Sequence, residues 1–503
     1  MLDKYVANIL KAKVYDVAKE TPLEMANSLS RKLHNKVYLK REDLQPVFSF
    51  KLRGAYNKIA NLTEAEKAKG IIASSAGNHA QGVALGAKKL GLKATIVMPT
   101  TTPPIKINAV KNLGGEVILE GDSYDQAYEF ASRLAKEKDL TFIHPYDDPI
   151  VIAGQGTIGM EILHQHSGAL EAIFVPVGGG GLIAGIAAYV KSVRPEVKVI
   201  GVESEESACL YEAMRAGKRV TLKEVGIFAD GVAVKIIGKE TFKLCQKYVD
   251  EVIKVSTDEI CAAIKDIFDD TRSIVEPAGA LSVAGIKKYI AKEKVKNQHL
   301  VGINSGANMN FDRLRNIAER TELGERKEAI LAVTIPEKPG SFKKFIEVLK
   351  NRSITEFNYR YVDVKKANIF VGISLQKGRE EKEKIIKYLH GNGYEIVDLT
   401  DNEMAKLHLR HMIGGKSEEL TDEKLFHFEF PEKPGALYKF LSNMGAKWNI
   451  SLFHYRNHGA AYGRVLVGMQ VPKSETLAFK KFLELLGYHY TEETHNKAYR
   501  LFL

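Results

Sequence analysis

Short apolar runs rich in β-branched residues recur between residues 37 and 305, separated by longer stretches with helical spacing. Val37-Tyr38-Leu39-Lys40, Gly70-Ile71-Ile72-Ala73-Ser74, Ala94-Thr95-Ile96-Val97-Met98, Glu116-Val117-Ile118-Leu119, Ala172-Ile173-Phe174-Val175-Pro176-Val177 and Lys198-Val199-Ile200-Gly201-Val202 have the length and composition of buried strands. Strands alternating with helices predict an α/β core in which helices cover parallel strands. Residues 173–190 run 18 positions without a charge, but Pro176 and four glycines at 178–181 interrupt them, so no membrane-spanning helix is expected.

After Asn310 a charged helical stretch covers 313–326, and beyond it the chain repeats itself. Pro336-Glu337-Lys338-Pro339-Gly340 returns as Pro431-Glu432-Lys433-Pro434-Gly435, Phe357-Asn358-Tyr359-Arg360 as Phe453-His454-Tyr455-Arg456, and Gly393-Tyr394 as Gly487-Tyr488, all at nearly one offset. Each copy reads strand, Pro-Gly turn, amphipathic helix, strand, strand, helix, strand, which is a ferredoxin-like βαββαβ unit. The expected division is 1–320 for the α/β part, then 328–400 and 423–503 for the two α+β units.

Composition narrows the class. The 503 residues are 45% apolar, enough for large cores. The net charge of +11 is dispersed among acids, as in Arg379-Glu380-Glu381-Lys382-Glu383-Lys384, which argues for solvated helix faces rather than a nucleic-acid surface. Three widely spaced cysteines, Cys209, Cys245 and Cys261, indicate neither a disulfide framework nor a zinc site, and a reducing cytoplasm is expected. The first twenty residues lack the uninterrupted apolar core of a signal peptide.

Four segments could carry chemistry. In Val175-Pro176-Val177-Gly178-Gly179-Gly180-Gly181-Leu182 a strand runs into glycines and a helix start, where backbone N–H groups can converge on a phosphate. The same glycines could simply permit close packing. They also satisfy G-x-G-x-x-A through Ala184, with Glu203 at a dinucleotide-like distance, so NAD binding stays open.

Ser74-Ser75-Ala76-Gly77-Asn78-His79 follows a strand and opens a helix; its amides and the Ser75 hydroxyl could hold a carboxylate, and Asn78 a cofactor oxygen. His79 reads more simply as a structural donor than as a general base. Ser305, in Asn304-Ser305-Gly306-Ala307-Asn308, puts a hydroxyl at a strand's C-terminal end, an ordinary capped turn or a ligand contact. Lys51 lies between Phe50 and Leu52, where a lysine either leans its stem on the core or is held as a desolvated amine. An amine, a phosphate cradle, a carboxylate loop and a hydroxyl for a ring nitrogen form the set a pyridoxal phosphate enzyme needs.

Ser49-Phe50-Lys51-Leu52-Arg53-Gly54-Ala55 resembles the Schiff-base lysine motif of the biosynthetic threonine dehydratases (threonine deaminases), which belong to the tryptophan-synthase-β-like, fold type II pyridoxal phosphate enzymes. Ser75-Ala76-Gly77-Asn78-His79 resembles their substrate loop, and the repeated tail their paired ACT-like regulatory domains. The resemblance implies L-threonine, with some L-serine, as substrate, and isoleucine and valine as opposing effectors of a homotetramer.

It further makes Lys51 the imine-forming lysine and Phe50 a cofactor neighbour, with Asn78 on the cofactor's 3-oxygen. Gly178, Gly179, Gly180, Gly181 and Leu182 take the phosphate and Ser305 the pyridine nitrogen, while Ser75, Gly77, Asn78 and His79 contact substrate. Related racemases carry a second acid/base serine where this chain has Ala76, which favours elimination. Those racemases also hold a cation near the position of Glu203, but the companion ligand pattern does not match, and no metal is expected. Readings of another kind are an NAD-dependent amino-acid dehydrogenase, a different pyridoxal phosphate β-eliminase such as a serine dehydratase, and a non-enzymatic amino-acid sensor.

Overall fold

The computed structural model describes residues 4–336, 366–409, 422–431 and 462–502, with 345, 348–349, 354–359, 439–440, 443–444 and 447–456 between them. The chain divides into two compact units, Met1–Ile317 and Ala318–Leu503. The first unit contains β1 (Leu23–Met25), β2 (Lys36–Arg41), β3 (Ile71–Ser74), β4 (Ala94–Met98), β5 (Glu116–Leu119), β6 (Thr141–Phe142), β7 (Ala172–Pro176), β8 (Lys198–Ser204), β9 (Glu251–Val255) and β10 (His299–Asn304).

These strands form a six-stranded sheet of order β1-β2-β10-β7-β8-β9 and a four-stranded sheet of order β5-β4-β3-β6. All pairs are parallel except β1 with β2. In β10, Leu300 joins one core cluster and Val301 and Ile303 another, so both faces are covered. That is why such strands read as continuous apolar runs without alternation. β5 departs from the expectation of a buried strand: it is the edge of its sheet, its end residues Glu116 and Leu119 are exposed, and one side has no strand to cover it.

The uncharged run 173–190 is not one element; β7 ends at Pro176 and a separate helix, Gly181–Val193, begins after the glycines. Among the described residues no helix is long and apolar enough to cross a membrane.

Helix Lys51–Ala60 is pinned by a buried ion network. Arg53 donates to Glu42 (2.8 Å) and to Glu161 (2.5 Å) of helix Pro149–Gln165, and Lys40 of β2 pairs with Glu161 at 2.6 Å. Two cations and two carboxylates, all buried, offset one another's desolvation and leave no net charge inside.

The second unit holds β11 (Glu328–Pro336), β12 (Ile354–Tyr359), β13 (Lys366–Ser374), β14 (Glu395–Asp398), β15 (Glu423–Pro431), β16 (Asn449–Arg456), β17 (Tyr462–Gln470) and β18 (His489–Glu492). Two antiparallel sheets, β12-β13-β11-β14 and β16-β17-β15-β18, repeat one ferredoxin-like order. The repeated Gly-Tyr pair has a backbone cause: Gly393 (φ +84°) and Gly487 (φ +66°) both follow a helix in the left-handed region that glycine tolerates. The copies fill their cores differently. The first is aliphatic around Leu331, Val333, Ile369 and Val371, the second aromatic around Phe428, Phe430, Phe440, Phe482 and Trp448. Of the repeated motifs, residues 337–340, 432–435 and 360 lie outside the described residues.

Candidate active site

Lys51 begins its helix directly after a turn tied to the far end of the unit. Ser49 bridges Gly306, the Phe50 N–H donates to Ser305 O (3.2 Å), and the Ala307 N–H donates to Phe48 O (2.8 Å). A serine two residues before Lys51 has the residue type of a helix cap, but Ser49 does not cap the helix. The capping position belongs to Phe50, which is already helical, and the Ser49 hydroxyl lies a long 3.4 Å from the Lys51 N–H. Burial lowers the Lys51 pKa, only partly opposed by Glu276 and Asp230. A neutral amine is the form a carbonyl-attacking lysine needs.

Gly82 brings a second loop to Lys51. A Cβ there would sit 2.9 Å from Leu52 Cα, so only glycine lets helix Asn78–Leu90 cross helix Lys51–Ala60 this closely. The loop before that helix leaves β3, and the Ser75 hydroxyl lies 3.3 Å from the Gly77 N–H. Asn78 donates to Glu276 Oε1 (2.6 Å) and accepts from Asn308 Nδ2 (2.7 Å). His79 is buried with Nε2 2.9 Å from Ile143 O, and burial lowers its pKa to about 3. Its ring is therefore a neutral structural donor, and only its backbone is left for a ligand.

The glycine turn is built for an anion and for close packing together. Gly180 takes φ +90°, and the first helical bond runs from the Ala184 N–H to Gly180 O (3.0 Å), so the amides of Gly181, Leu182 and Ile183 have no intrahelical acceptor. Behind the turn, a Cβ on Gly179 would fall 2.3 Å from the Tyr146 ring, and one on Gly178 3.0 Å from Val232 Cα. Thr241 holds the Gly179 carbonyl at 2.8 Å.

Glu203 cannot serve a dinucleotide ribose. Its two oxygens accept the N–H groups of Leu210 and Tyr211, each at 2.8 Å, inside the protein, where burial raises its pKa to about 7. Among the described residues no group of three or more His, Cys, Asp and Glu side chains is arranged to hold a metal ion.

Sequence reading missed Glu276. It stands immediately before Pro277, the first residue of helix Pro277–Glu293, and so looks like an ordinary capping acid; its side chain makes no cap and turns to Asn78 instead. Burial, reinforced by Asp230, raises its pKa. Asp230 was missed as well; it pairs with Lys106 (2.7 Å) and Arg313 (3.1 Å).

A half-buried lysine of lowered pKa, open amides at a left-handed glycine turn, a buried hydroxyl at Ser305 and the Asn78 amide fit pyridoxal phosphate, whose carbonyl, phosphate, ring nitrogen and ring oxygen need these partners. Fold and site define a fold type II pyridoxal phosphate enzyme. A family described as pyridoxal-phosphate dependent enzyme matches residues 14–306, and the C-terminal regulatory domain of threonine dehydratase matches 319–409 and 414–503.

The L-threonine dehydratase biosynthetic IlvA of Burkholderia multivorans is 58% identical over 502 residues, covering 99% of both chains. The mitochondrial threonine dehydratase of Saccharomyces cerevisiae is 53% identical over 514 residues, covering 99% of this chain and 89% of that one. Among solved structures, the processed form of threonine deaminase isoform 2 from Solanum lycopersicum is 51% identical with a TM-score of 0.62, covering 63% of this chain and 92% of that one. The chain belongs to the biosynthetic threonine dehydratase family.

Proposed function

We infer that the chain deaminates L-threonine to 2-oxobutanoate and ammonia, the first step of isoleucine formation, as a pyridoxal-phosphate-dependent lyase. The observation that carries the reading is the partly desolvated, neutral-leaning amine of Lys51 beside the Asn78 loop and the Ser305 turn, in a chain of this family. Bound pyridoxal phosphate supplies an electrophilic carbonyl and a ring that withdraws electrons from the substrate Cα.

The residues of the chain do the rest. Lys51 is the residue that would hold the cofactor, and its freed Nζ would take the proton from the substrate Cα. The β-hydroxyl then leaves, and water completes release of the keto acid and ammonia. Amides at Ser75, Gly77, Asn78 and His79 hold the substrate carboxylate, while those of residues 178–182 hold the cofactor phosphate.

Ser305 would offer the ring nitrogen a neutral hydroxyl, which would not keep that nitrogen protonated. A ring so partnered would withdraw electrons less strongly, which would favour loss of the β-hydroxyl. Ala76 has no group to reprotonate Cα from the opposite face, which favours elimination over racemisation. Serine differs from threonine by one methyl, worth about 1–3 kcal/mol in an apolar pocket, so slower serine turnover accompanies the main activity.

Isoleucine and valine are the effectors in this reading, acting on the duplicated tail in a cytoplasmic homotetramer. An absorbance scan with and without threonine tests the chemistry: a band beyond the protein's aromatic absorption and production of 2-oxobutanoate are expected, and absence of the band would overturn it. A chain ending at Arg326 keeps turnover and loses its response to isoleucine; retained inhibition would overturn the regulatory assignment.

A further inference from the structure

We propose that Glu276 and Asn308 are positioning residues that fix the Asn78 amide so that a single N–H remains for the cofactor. The proposal rests on the reading above that Asn78 meets the ring oxygen of pyridoxal phosphate. It follows from counting donors and acceptors around two buried amides.

Asn308 Nδ2 has two hydrogens, and both are used: one on Val47 O (2.8 Å), the other on Asn78 Oδ1 (2.7 Å). A backbone carbonyl only accepts, so the Asn308 amide cannot turn over without orphaning Val47 O. Asn78 is thereby obliged to face Asn308 with its oxygen, which leaves its nitrogen on the other side. There Glu276 Oε1 accepts one of its hydrogens at 2.6 Å. A carboxylate likewise accepts only.

The two neighbours thus read opposite ends of one amide. Turned over, Asn78 would set oxygen against carboxylate on one side and NH2 against NH2 on the other. One Nδ2 hydrogen is left over, the correct polarity for an oxygen that carries negative charge.

Position favours this use of Glu276. It is 5% exposed and Asn78 8%, so water does not substitute for either bond. The carboxylate occupies the N-cap of helix Pro277–Glu293 yet makes no capping bond, and its backbone N–H is held instead by Gly306 O at 3.1 Å. Gly306 is next to Ser305 and bridged to Ser49, two residues before Lys51. One hydrogen-bonded frame therefore holds the lysine turn, the Ser305 turn and the asparagine amide together.

The test uses the full chain, stripped of cofactor and titrated with pyridoxal phosphate while its long-wavelength absorption is followed. Asn78→Ala is expected to weaken cofactor binding about tenfold or more and to shift the band. Glu276→Ala and Asn308→Asp are expected to do the same, the first by removing the acceptor and the second by facing Asn78 Oδ1 with a further acceptor. Glu276→Gln keeps an acceptor oxygen and stays within about twofold of the parent. The double variant Asn78→Ala/Glu276→Ala is no worse than Asn78→Ala alone, because both remove one contact.

If Asn78→Ala leaves affinity and band unchanged, the cofactor reading of Asn78 falls, and this proposal with it. If Asn78→Ala acts but neither Glu276→Ala nor Asn308→Asp does, the cofactor reading stands and the positioning role is overturned. Losses that add in the double variant, or a Glu276→Gln as weak as Glu276→Ala, overturn it as well. Should Glu276→Ala not fold, Asn308→Asp decides alone.

Discussion

The glycine turn at 178–182 and the frame around Lys51 and Asn78 solve different problems. The turn is local: consecutive backbone, one left-handed glycine and a helix start produce its open amides. The frame is assembled from distant segments, with Asn78 bonded to a residue 198 positions away and another 230 away. A local device is damaged chiefly by filling its space, whereas an assembled one can be broken at any of its partners.

That difference can be pressed hardest at the lysine. Lys51→Ala removes the amine around which the frame is built, and turnover is expected to fall about 10²- to 10⁴-fold with loss of the long-wavelength band. Threonine turnover and an absorbance scan check it. Retained absorbance would show that another amine holds the cofactor.

Next comes the support beneath the frame. Arg53→Met leaves Glu42 and Glu161 buried without their guanidinium, and about 3–5 kcal/mol of stability should be lost in urea unfolding. A loss under 1 kcal/mol would mean that Lys40, Thr21, Gln45 and Tyr15 suffice for these carboxylates.

The turn should respond chiefly to volume, since its open amides come from consecutive backbone. Gly179→Ala places a methyl 2.3 Å from the Tyr146 ring and is expected to cost about 1–3 kcal/mol, again by urea unfolding, with weaker cofactor retention on dialysis. Unchanged retention would separate the packing role of this glycine from its phosphate role.

The smallest effect is a pH dependence confined to the frame side. His79 has a pKa of about 3 in the fold against about 6.5 unfolded, so between those values only the unfolded chain binds the proton. Stability is then flat above pH 6.5 and declines below it, by about 1.4 kcal/mol at pH 5.5 from this group. Urea midpoints at pH 7.5 and 5.5 should show a smaller difference in His79→Gln than in the parent.

The parts legible in the sequence are those whose cause is local. β4 and β5 begin and end where the apolar runs do, and β7 stops at Pro176, one residue before the run itself ends. β6, only Thr141–Phe142, has no periodicity to detect, and β1 is three residues long. The duplicated tail was legible through its turns and its Gly-Tyr pairs, although its cores diverged from aliphatic to aromatic. Illegible were the choices made by long-range partners. Glu276 sits before a proline at a helix start, and nothing along the chain says that its side chain will leave the cap for an asparagine far upstream. Ser49 reads as a cap for the converse reason: only the pairing with Gly306 shows that the turn is held from elsewhere.

The Ser49 to Gly306 bridge also sets a clock on biosynthesis. The ribosome adds about 5–20 residues per second, so the lysine turn waits about 13–50 s for its partner to be made. For about the second half of that interval a nascent chain carries its glycine turn but no finished lysine pocket. Cofactor capture is therefore a late event, possible only once almost the whole first unit has left the ribosome.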